Sequence, residues 1–291
     1  MSPLTAHQLT RRFGRYTAVA QFSGHFPAGS VSVICGANGA GKTTALRLML
    51  GLLPASYGHA TIFGVDHRQL GPREWARIGY VSEDLQHHRA LTVDTLLARW
   101  RSLYPQWDRQ LERRIVDALE LPRHQRLTTL SRGQRMKAHL ASVLPYRPEL
   151  LVLDEPFSGL DLVTRDQVVQ QLVDLVAEDG TTVLVSSHEI SDVETLADRL
   201  LWIRRGHLRL ETEIESLRAR FRRVTQPFGE PPPHVWQVQR HEDGSVSYID
   251  PQFDPATSPP EATATALPLR DIYLALVRGP QPTLPPPVTI V

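Results

Sequence analysis

VSVICGANGAGKTTALRLML, residues 31 to 50, is the stretch that decides the fold of this chain. It begins with a short continuous apolar run, passes through the pattern G-x-x-x-x-G-K-T at residues 36 to 43, and ends in a helical pattern. A buried strand, a glycine-rich turn and a helix in this order predict a phosphate-binding loop. This chemistry needs glycines so that successive N–H groups can wrap a β-phosphate, a lysine that reaches the β- and γ-phosphates, and a hydroxyl for Mg²⁺. Gly39, Gly41, Lys42 and Thr43 provide these groups.

Strands that are buried on both faces are expected at three places. VSVIC, LLVLD (150 to 154) and TVLVSS (182 to 187) are short continuous apolar runs, the pattern of parallel strands with helices on both sides. Apolar residues at helical spacing predict a helix over residues 164 to 177, and Gly180 ends that connection. Residues from about 85 to 148 suggest successive helices without strands, which indicates a helical insertion. The sequence therefore predicts an α/β fold with a mainly parallel sheet.

Two acidic residues follow the second of these runs. Asp154 and Glu155 stand at the end of an apolar strand, where Asp154 can hold Mg²⁺ through water and Glu155 can polarise an attacking water. Two acids that leave a buried strand are costly unless a cation or a reacting group neutralises them. A phosphate loop alone would fit a kinase, a GTPase or a motor ATPase, and a strand-end cap would account for one acid more easily than for two. The pair favours nucleotide hydrolysis.

The composition changes near residue 220. Of the 23 prolines, 14 lie after Thr225, whereas the earlier sequence alternates strand and helix patterns. We expect a first domain over residues 1–220 and a small α+β unit over 221–280, in which VWQVQR and SVSYID flank an Asp-Gly turn and form a hairpin. LRDIYLALVRG predicts a last helix, and its apolar face would consist of Ile272, Tyr273, Leu276 and Val277. The Pro-rich end, residues 281–291, is expected to be disordered.

The bulk composition says little about partners. With 32 Lys and Arg against 31 Asp and Glu the formal net charge is +1, so we expect no nucleic-acid partner. The only cysteine, Cys35, fits a reducing compartment. The N-terminus lacks the apolar core of a signal peptide, and no stretch approaches the roughly 18 uninterrupted apolar residues of a membrane helix. We therefore expect a cytoplasmic chain, with any membrane role depending on a separate partner.

Four further segments carry a family resemblance. LSRGQ, residues 130 to 134, resembles the signature loop LSGGQ of ABC ATPases, and the helix that begins there can point N-terminal amides at an anion. SGLD, residues 158 to 161, resembles the D-loop of the same family, and His188 in VSSHE resembles its switch histidine. Phe13 in RRFG stands where the family places an aromatic residue that stacks on adenine, with Tyr16 as the alternative.

The resemblance covers roughly residues 4 to 215 and implies an ATP-binding subunit of an ABC transporter. The implied fold is a P-loop NTPase of the ABC ATPase type, with a mainly parallel sheet, an N-terminal antiparallel β region and the helical insertion. The implied cofactors are ATP and Mg²⁺. The resemblance also implies a dimer, either of two copies or with a different subunit, in which each signature loop binds the ATP of the opposite subunit. A separate integral membrane permease would hold the dimer at the inner face of the cell membrane.

The resemblance assigns residues to five groups. The nucleotide-binding residues are Phe13, Gly36, Ala37, Asn38, Gly39, Ala40, Gly41, Lys42, Thr43 and Thr44. The catalytic residues are Lys42, Glu155 and His188, and the metal ligands are Thr43, Glu83 and Asp154. The signature loop consists of Leu130, Ser131, Arg132, Gly133 and Gln134. The D-loop consists of Ser158, Gly159, Leu160 and Asp161.

The sequence departs from the family pattern at three positions. Glu83 stands where the family usually has Gln. A carboxylate can still ligate Mg²⁺ but cannot donate a hydrogen bond to water, so we expect altered coupling with hydrolysis retained. Arg132 replaces the middle glycine of the signature loop and adds a positive charge beside a phosphate-binding segment. Leu162 replaces a common proline, which removes a rigid φ but no chemical group.

Three segments of the sequence bear on the direction of transport. YVSED (80 to 84), YPQWD (104 to 108) and LRDIYLALVRG are similar to segments of stand-alone ATP-binding subunits of bacterial exporters, so the sequence favours an exporter. An importer subunit is an alternative. So is a soluble ABC ATPase of DNA repair or translation, a class that usually carries two fused ATPase units or a long coiled coil. Trp100, Tyr104 and Trp107 would either form a docking surface for the membrane partner or belong to the core.

Overall fold

The structure is a computed structural model that describes residues 2–82, 91–256, 258 and 261–278. Glu83, a predicted metal ligand, and the Pro-rich segment 281–291 lie outside the described residues. The chain divides into two compact units. The first consists of Met1–Ala197 and Leu201–Arg209, and the second of Asp198–Leu200 and Leu210–Val291.

The secondary structure follows the α/β order expected from the apolar runs. The strands are β1 (Leu4–Phe13), β2 (Tyr16–Phe26), β3 (Val31–Cys35), β4 (Tyr57–Ile62), β5 (Val65–Asp66), β6 (Ile78–Ser82), β7 (Leu150–Asp154), β8 (Thr182–Ser187), β9 (Arg199–Arg204), β10 (His207–Glu213), β11 (Arg222–Gln226), β12 (Trp236–Arg240), β13 (Val246–Asp250) and β14 (Thr263–Ala266). The helices are α1 (Lys42–Met49), α2 (Pro72–Trp75), α3 (Val93–Leu103), α4 (Arg109–Ala118), α5 (Arg132–Val143), α6 (Leu162–Asp179), α7 (Ile214–Arg220) and α8 (Leu269–Arg278). Short 3₁₀ helices span Leu127–Thr129, Leu144–Tyr146 and Ile190–Asp192.

A six-stranded sheet with the order β10-β9-β3-β8-β7-β6 positions the candidate site. Strands β3, β8, β7 and β6 are parallel, and every residue of β3, β7 and β8 is buried, which confirms the strands predicted from the apolar runs. The register aligns Cys35 with Ser187, and Asp154 with both Ser186 and Ser82. The carboxyl ends of these strands therefore meet at one edge, where open α/β sheets bind their ligands.

A second sheet, with the order β2-β1-β4-β5, confirms the antiparallel N-terminal region. Leu9, Phe22 and Phe26 of this sheet are fully buried and share one core with Leu46 and Met49 of α1. Burial of each such side chain stabilises the fold by about 1.5–3 kcal/mol. This packing holds α1, the helix that follows the phosphate loop, in a fixed position.

The helical insertion is confirmed by α3, α4 and α5, which follow one another between β6 and β7. Each helix begins at a side chain that accepts hydrogen bonds from its first turn: Thr92 for α3, Asp108 for α4 and Ser131 for α5. Such caps satisfy N–H groups that have no partner inside the helix. The insertion is therefore built from helices with individually defined starts.

The three aromatic residues considered as a docking surface divide between core and surface. Trp107 is buried, and its Nε1 donates to Glu112 Oε2 (2.7 Å). Tyr104 stacks on Tyr146 with ring centroids 3.9 Å apart, and Trp100 stacks on Tyr104 at 5.7 Å. Trp107 therefore belongs to the core, whereas Trp100 and Tyr104 are only half-buried.

Helix α6 connects β7 to β8 and is longer than the predicted segment 164 to 177. It ends at Gly180, whose φ of 65° is the left-handed conformation that glycine adopts easily. No helix in the described part of the chain is long and apolar enough to span a membrane.

The second unit contains an antiparallel sheet with the order β12-β13-β11-β14 and the helices α7 and α8. Strands β12 and β13 confirm the predicted hairpin, because Arg240 pairs with Val246 and His241 N donates to Ser245 O (2.9 Å) across the turn. The predicted face of α8 was partly wrong. Its buried residues are Leu269, Ile272, Ala275 and Leu276, whereas Tyr273 and Val277 are half-buried.

Candidate nucleotide site

The phosphate loop connects β3 to α1, and its glycines are required by the backbone. Gly41 has a φ of 108°, and a Cβ at this position would lie 2.6 Å from the carbonyl oxygen of Ala18 in β2. A residue with a side chain meets both strain and a clash there, so glycine fits best. Gly39 also has a positive φ, of 75°. The loop thus lies close to β2 and leads directly into the N-terminus of α1.

Lys42 is buried and has three oxygen partners. Its Nζ donates to the carbonyl oxygens of Gly36 (2.7 Å) and Ala37 (3.3 Å), and it forms an ion pair with Glu155 Oε1 (2.9 Å). An ammonium group has three hydrogens, so these partners use its whole donor capacity. The predicted phosphate-binding lysine therefore lies in direct contact with the predicted catalytic acid.

Glu155 lies between Lys42 and His188. Its φ of 54° is uncommon for a residue with a side chain, and its N–H donates to Ser186 Oγ (2.9 Å). His188 Nδ1 lies 2.8 Å from Glu155 Oε2. An ionised carboxylate only accepts hydrogen bonds, so Nδ1 is the donor. A hydrogen bond from His188 to a phosphate therefore requires a hydrogen on Nε2 or a rotation of the ring away from Glu155.

Asp154 ends β7 and is buried. Its Oδ1 accepts hydrogen bonds from Thr43 Oγ1 (3.0 Å) and Ser186 Oγ (2.7 Å). Burial raises the pKa of the Asp154 carboxyl, against the effect of these two hydrogen bonds. A buried carboxylate beside a hydroxyl offers the oxygen ligands that Mg²⁺ prefers, and a cation offsets the cost of burying the charge. Thr43 and Asp154 therefore fit a magnesium ion.

Ser186 is a site residue that the sequence reasoning missed. It donates to Asp154 and accepts from the Glu155 N–H, so one hydroxyl holds both acids. The parallel register of β7 and β8 places it directly beside Asp154. The available signal was a serine at the end of an apolar strand, two residues before His188.

The signature loop forms the first turn of α5. Ser131 Oγ accepts from the N–H of Gln134 (3.2 Å), and Gln134 Oε1 accepts from the N–H of Ser131 (3.0 Å). This reciprocal capping box fixes the start of the helix. Within the described residues, these bonds stay inside the loop and do not join it to the Lys42, Glu155 and His188 group.

The D-loop begins three residues after Glu155. Ser158 N donates to Glu155 O (3.2 Å), Gly159 has a φ of 70°, and Leu160 is buried. Asp161 caps α6 by accepting from the N–H and the hydroxyl of Thr164, both at 2.9 Å. These hydrogen bonds hold the pKa of the Asp161 carboxyl below its ordinary value. The D-loop is thus fixed between Glu155 and α6.

Phe13, the predicted adenine-stacking residue, ends β1 at the hairpin to β2. The residue is 48% exposed, and the Arg11 guanidinium lies 4.6 Å from the centroid of its ring. Tyr16, the alternative, is opposite it in the register and 61% exposed. Both residues are exposed, and the hairpin leads into the part of β2 that lies beside Gly41.

Comparison with known proteins identifies the family. A family model described as ABC transporter matches residues 19–158. The bacitracin transport ATP-binding protein BcrA of Enterococcus faecalis is 30% identical over 225 residues, which cover 77% of this chain and 73% of that protein. The chain belongs to the ABC transporter family. It is an ATP-binding subunit of that family and an ATPase.

Other relatives of this ABC ATPase differ in what they transport. The molybdenum import ATP-binding protein ModC of Rhodobacter capsulatus is 34% identical over 215 residues, which cover 72% of this chain and 58% of that protein. Among solved structures, a dimeric post-hydrolysis ATP-binding cassette bound to ADP and Pi has a TM-score of 0.64 at 23% identity. The aligned region covers 72% of this chain and 98% of the cassette. This likeness confirms the ABC ATPase fold.

A second feature missed by the sequence reasoning connects the D-loop helix of this ABC ATPase to the switch-histidine segment. Arg165, in the first turn of α6, forms an ion pair with Asp192 Oδ1 (2.8 Å). Asp192 lies four residues after His188 in the sequence, and its side chain is buried. Its Oδ2 accepts a long hydrogen bond from Ser187 Oγ (3.5 Å). Burial raises the pKa of the Asp192 carboxyl, and the charge of Arg165 opposes that rise. The pair therefore ties α6 to the segment that carries His188.

Proposed function

We propose that this ABC subunit hydrolyses ATP at the composite sites of a dimer and powers export through a separate membrane permease. One observation carries the proposal. Lys42, Glu155 and His188 form one connected group, and Thr43 and Asp154 meet at the same edge of the parallel sheet. Phosphate-binding, water-activating and metal-binding groups therefore lie at one place.

The chain's own residues have separate tasks in phosphoryl transfer. Lys42 neutralises charge on the β- and γ-phosphates, and Glu155 accepts a hydrogen bond from the attacking water and orients it. His188 is placed by its bond to Glu155 and donates to the γ-phosphate through a ring nitrogen. Thr43 and Asp154 would hold Mg²⁺, which when bound neutralises phosphate charge. Positioning and charge compensation supply most of the rate in such reactions.

The dimer is supported by the way the motifs are distributed. Ser131 and Gln134 close the start of α5 by bonding to each other, while Lys42, Glu155 and His188 form their own group. The N-terminal amides of α5 can bind an anion supplied from outside this group. We infer that the anion is the γ-phosphate of ATP held by a second subunit. The signature loop of that subunit completes the site formed by Lys42.

Export is supported by the exporter-like segments of the sequence and by the similarity to a bacitracin transport protein. The similarity to a molybdenum import protein favours the importer alternative. In either case the permease supplies the path through the bilayer, and the subunit works at the inner face of the cell membrane. The half-buried Trp100 and Tyr104 are candidates for its docking surface.

The test combines partner identification with a transport assay. A tagged full chain is purified from membranes, its integral partner is identified, and the complex is placed in vesicles with the ATPase facing out. ATP added outside should load bacitracin, used as the first probe, into the vesicles of an exporter. ATP-driven release of a preloaded molybdate oxyanion would favour the importer. Recovery of the chain only with ribosomes or DNA would contradict the transport proposal.

A further inference from the structure

Arg132 is turned toward the D-loop of its own chain. It stands at the middle position of the signature loop, and its Nη2 donates a hydrogen bond to Ser158 Oγ (2.9 Å). The sequence predicted only an added positive charge at this position. The guanidinium is instead committed to the loop that follows Glu155.

The neighbouring glycine accommodates this arginine. A Cβ at Gly159 would lie 2.9 Å from Arg132 Nη1 and 3.1 Å from its Cδ, so a side chain at this position would displace the guanidinium. Gly159 also has a φ of 70°, which disfavours other residues. The D-loop therefore has both the hydroxyl that accepts from Arg132 and the space in which the guanidinium lies.

Two further contacts join the same elements. A Cβ at Gly133 would lie 3.2 Å from Leu160 Cδ2, which shows that the first turn of α5 packs closely on the D-loop. Farther along, Lys137 Nζ donates to Gln167 Oε1 of α6 (2.7 Å). The signature helix and the D-loop helix are thus connected along their first two turns.

The connection reaches the catalytic acid through the backbone. Ser158 N donates to Glu155 O (3.2 Å), so the residue that accepts from Arg132 also closes the turn that starts at Glu155. A continuous path therefore runs from the signature loop through Arg132 and Ser158 to Glu155. Glu155 in turn contacts Lys42 and His188.

We propose that Arg132 is a positioning residue that couples the signature loop to the D-loop of the same subunit. The inference rests on the proposed dimer, in which the signature loop and Glu155 of one subunit serve two different ATP molecules. Through Arg132 and Ser158, occupation of one site sets the geometry of the other. The arginine acts through Ser158 and not by binding phosphate itself.

The alternative role of Arg132 is direct contact with the phosphate of the opposite subunit. In that case removal of the guanidinium weakens ATP-dependent pairing, whereas removal of the Ser158 hydroxyl has no effect on it. If Arg132 acts through Ser158, removal of the guanidinium and removal of the Ser158 hydroxyl weaken ATP-dependent pairing equally. The double variant is then little weaker than either single variant, because each change breaks the same hydrogen bond.

The experiment measures ATP-dependent dimerisation of the full chain in a Glu155→Gln background, which limits turnover. The variants are Arg132→Gly, Ser158→Ala, both together, and Ser158→Thr, which keeps the hydroxyl. Arg126→Ala is the matched control, since it removes an exposed arginine near the same loop. Light scattering after gel filtration gives the ATP concentration at half-maximal dimerisation. Binding of a fluorescent ADP to the monomer shows whether the phosphate loop of each variant still binds nucleotide. Thermal unfolding shows whether each variant is folded.

We expect Arg132→Gly and Ser158→Ala each to raise the half-maximal ATP concentration about three- to tenfold, the size expected for one hydrogen bond. The double variant should match the single ones, Ser158→Thr should restore the parent value, and Arg126→Ala should equal the parent. In the hydrolysing background the same variants should lower the Hill coefficient for ATP. The coupling role would be overturned if Ser158→Ala left the half-maximal ATP concentration unchanged. It would also be overturned if the effects of Arg132→Gly and Ser158→Ala added up in the double variant. A parent that does not dimerise with ATP would instead overturn a dimer of two copies of this chain, and the inference as it applies to that dimer.

Discussion

Glu155 joins Lys42, the predicted phosphate-binding lysine, to His188, the predicted switch histidine, so its negative charge acts on both. The carboxylate holds Lys42 Nζ at 2.9 Å and accepts from His188 Nδ1 at 2.8 Å. A phosphate group that reaches Lys42 competes with this carboxylate for the same ammonium. At the scale of single residues, the carboxylate that we propose activates water would therefore also compete with the nucleotide for Lys42.

Glu155→Gln should separate these two effects. The amide keeps the shape but loses the charge, so ATP hydrolysis should fall by a factor of about 100 or more, the usual contribution of a general base. Binding of a nucleotide to the monomer should become tighter, because Gln no longer forms an ion pair with Lys42. Steady-state ATPase assays and titration with a fluorescent ADP measure the two quantities. Turnover within a few fold of the parent would remove Glu155 from its catalytic role.

Asp192 should affect the chemistry through the position of His188. Asp192→Asn removes the ion pair with Arg165 while keeping the shape, and we expect a several-fold lower kcat, with a smaller change in KM. Arg199→Gln is the control, since Arg199 and Glu211 form a comparably shielded pair (3.0 Å) in the second unit. Urea unfolding and ATPase kinetics are measured on both. If both variants lose stability and keep kcat, Asp192 is only structural.

At the scale of elements, the caps of the helical insertion decide where its helices begin. Asp108 Oδ1 accepts from the N–H groups of Gln110 and Leu111, and Oδ2 accepts from Arg147. The backbone bond from Leu111, with that from Gln110 and the charge of Arg147, holds the pKa of the Asp108 carboxyl below its ordinary value of 3.8. Helix α4 thus begins at a cap that favours the ionised carboxylate.

The pH dependence of this cap follows from the lowered pKa. The ionised form is favoured in the folded state, so its stabilisation is present above about pH 4 and is lost as the pH falls through the folded pKa. Asp108→Ala should lower the free energy of unfolding by about 1 kcal/mol at pH 7. This difference from the parent should become smaller in acid. Asp108→Asn keeps a cap without a titrating charge and serves as the control in urea unfolding at both pH values. If the difference in free energy of unfolding between the parent and Asp108→Ala stayed constant with pH, the cap would not depend on an ionised carboxylate.

The predictability of each element depends on how locally its environment is encoded. VSVIC, LLVLD and TVLVSS could be predicted because a strand covered on both faces needs apolar residues throughout. The partners of polar side chains could not be predicted, since Ser186 meets Asp154 only through the register of two strands distant in sequence. Arg132 is a similar case, because Ser158 and Gly159 approach it only after α5 and α6 have packed.

The face of α8 shows a different reason for error. Periodicity selects the large apolar residues, which put Tyr273 and Val277 on the predicted face. In the structure the buried stripe passes through the small Ala275 instead, with Leu269, Ile272 and Leu276. A small residue lets a helix pack closely, and hydrophobicity alone does not identify such a position. For the candidate site, motif order predicted residues that meet at one edge of the sheet, such as Lys42 and Glu155, and tertiary packing determined what holds them.

At the scale of the whole molecule, nucleotide binding should increase the free energy of unfolding. A ligand that binds only the folded state at about 100 times its Kd stabilises it by about 2.7 kcal/mol. We expect ADP with Mg²⁺ to raise the unfolding midpoint of the chain, and EDTA to remove much of that shift, because Asp154 then lacks the cation that offsets its buried charge. Lys42→Ala is the control and should abolish the shift in both conditions. Thermal and urea unfolding monitored with and without EDTA provide the measurement. A shift that is equal in Mg²⁺ and EDTA would exclude the Thr43 and Asp154 pair as the metal site and leave the phosphate loop as the sole source of nucleotide affinity.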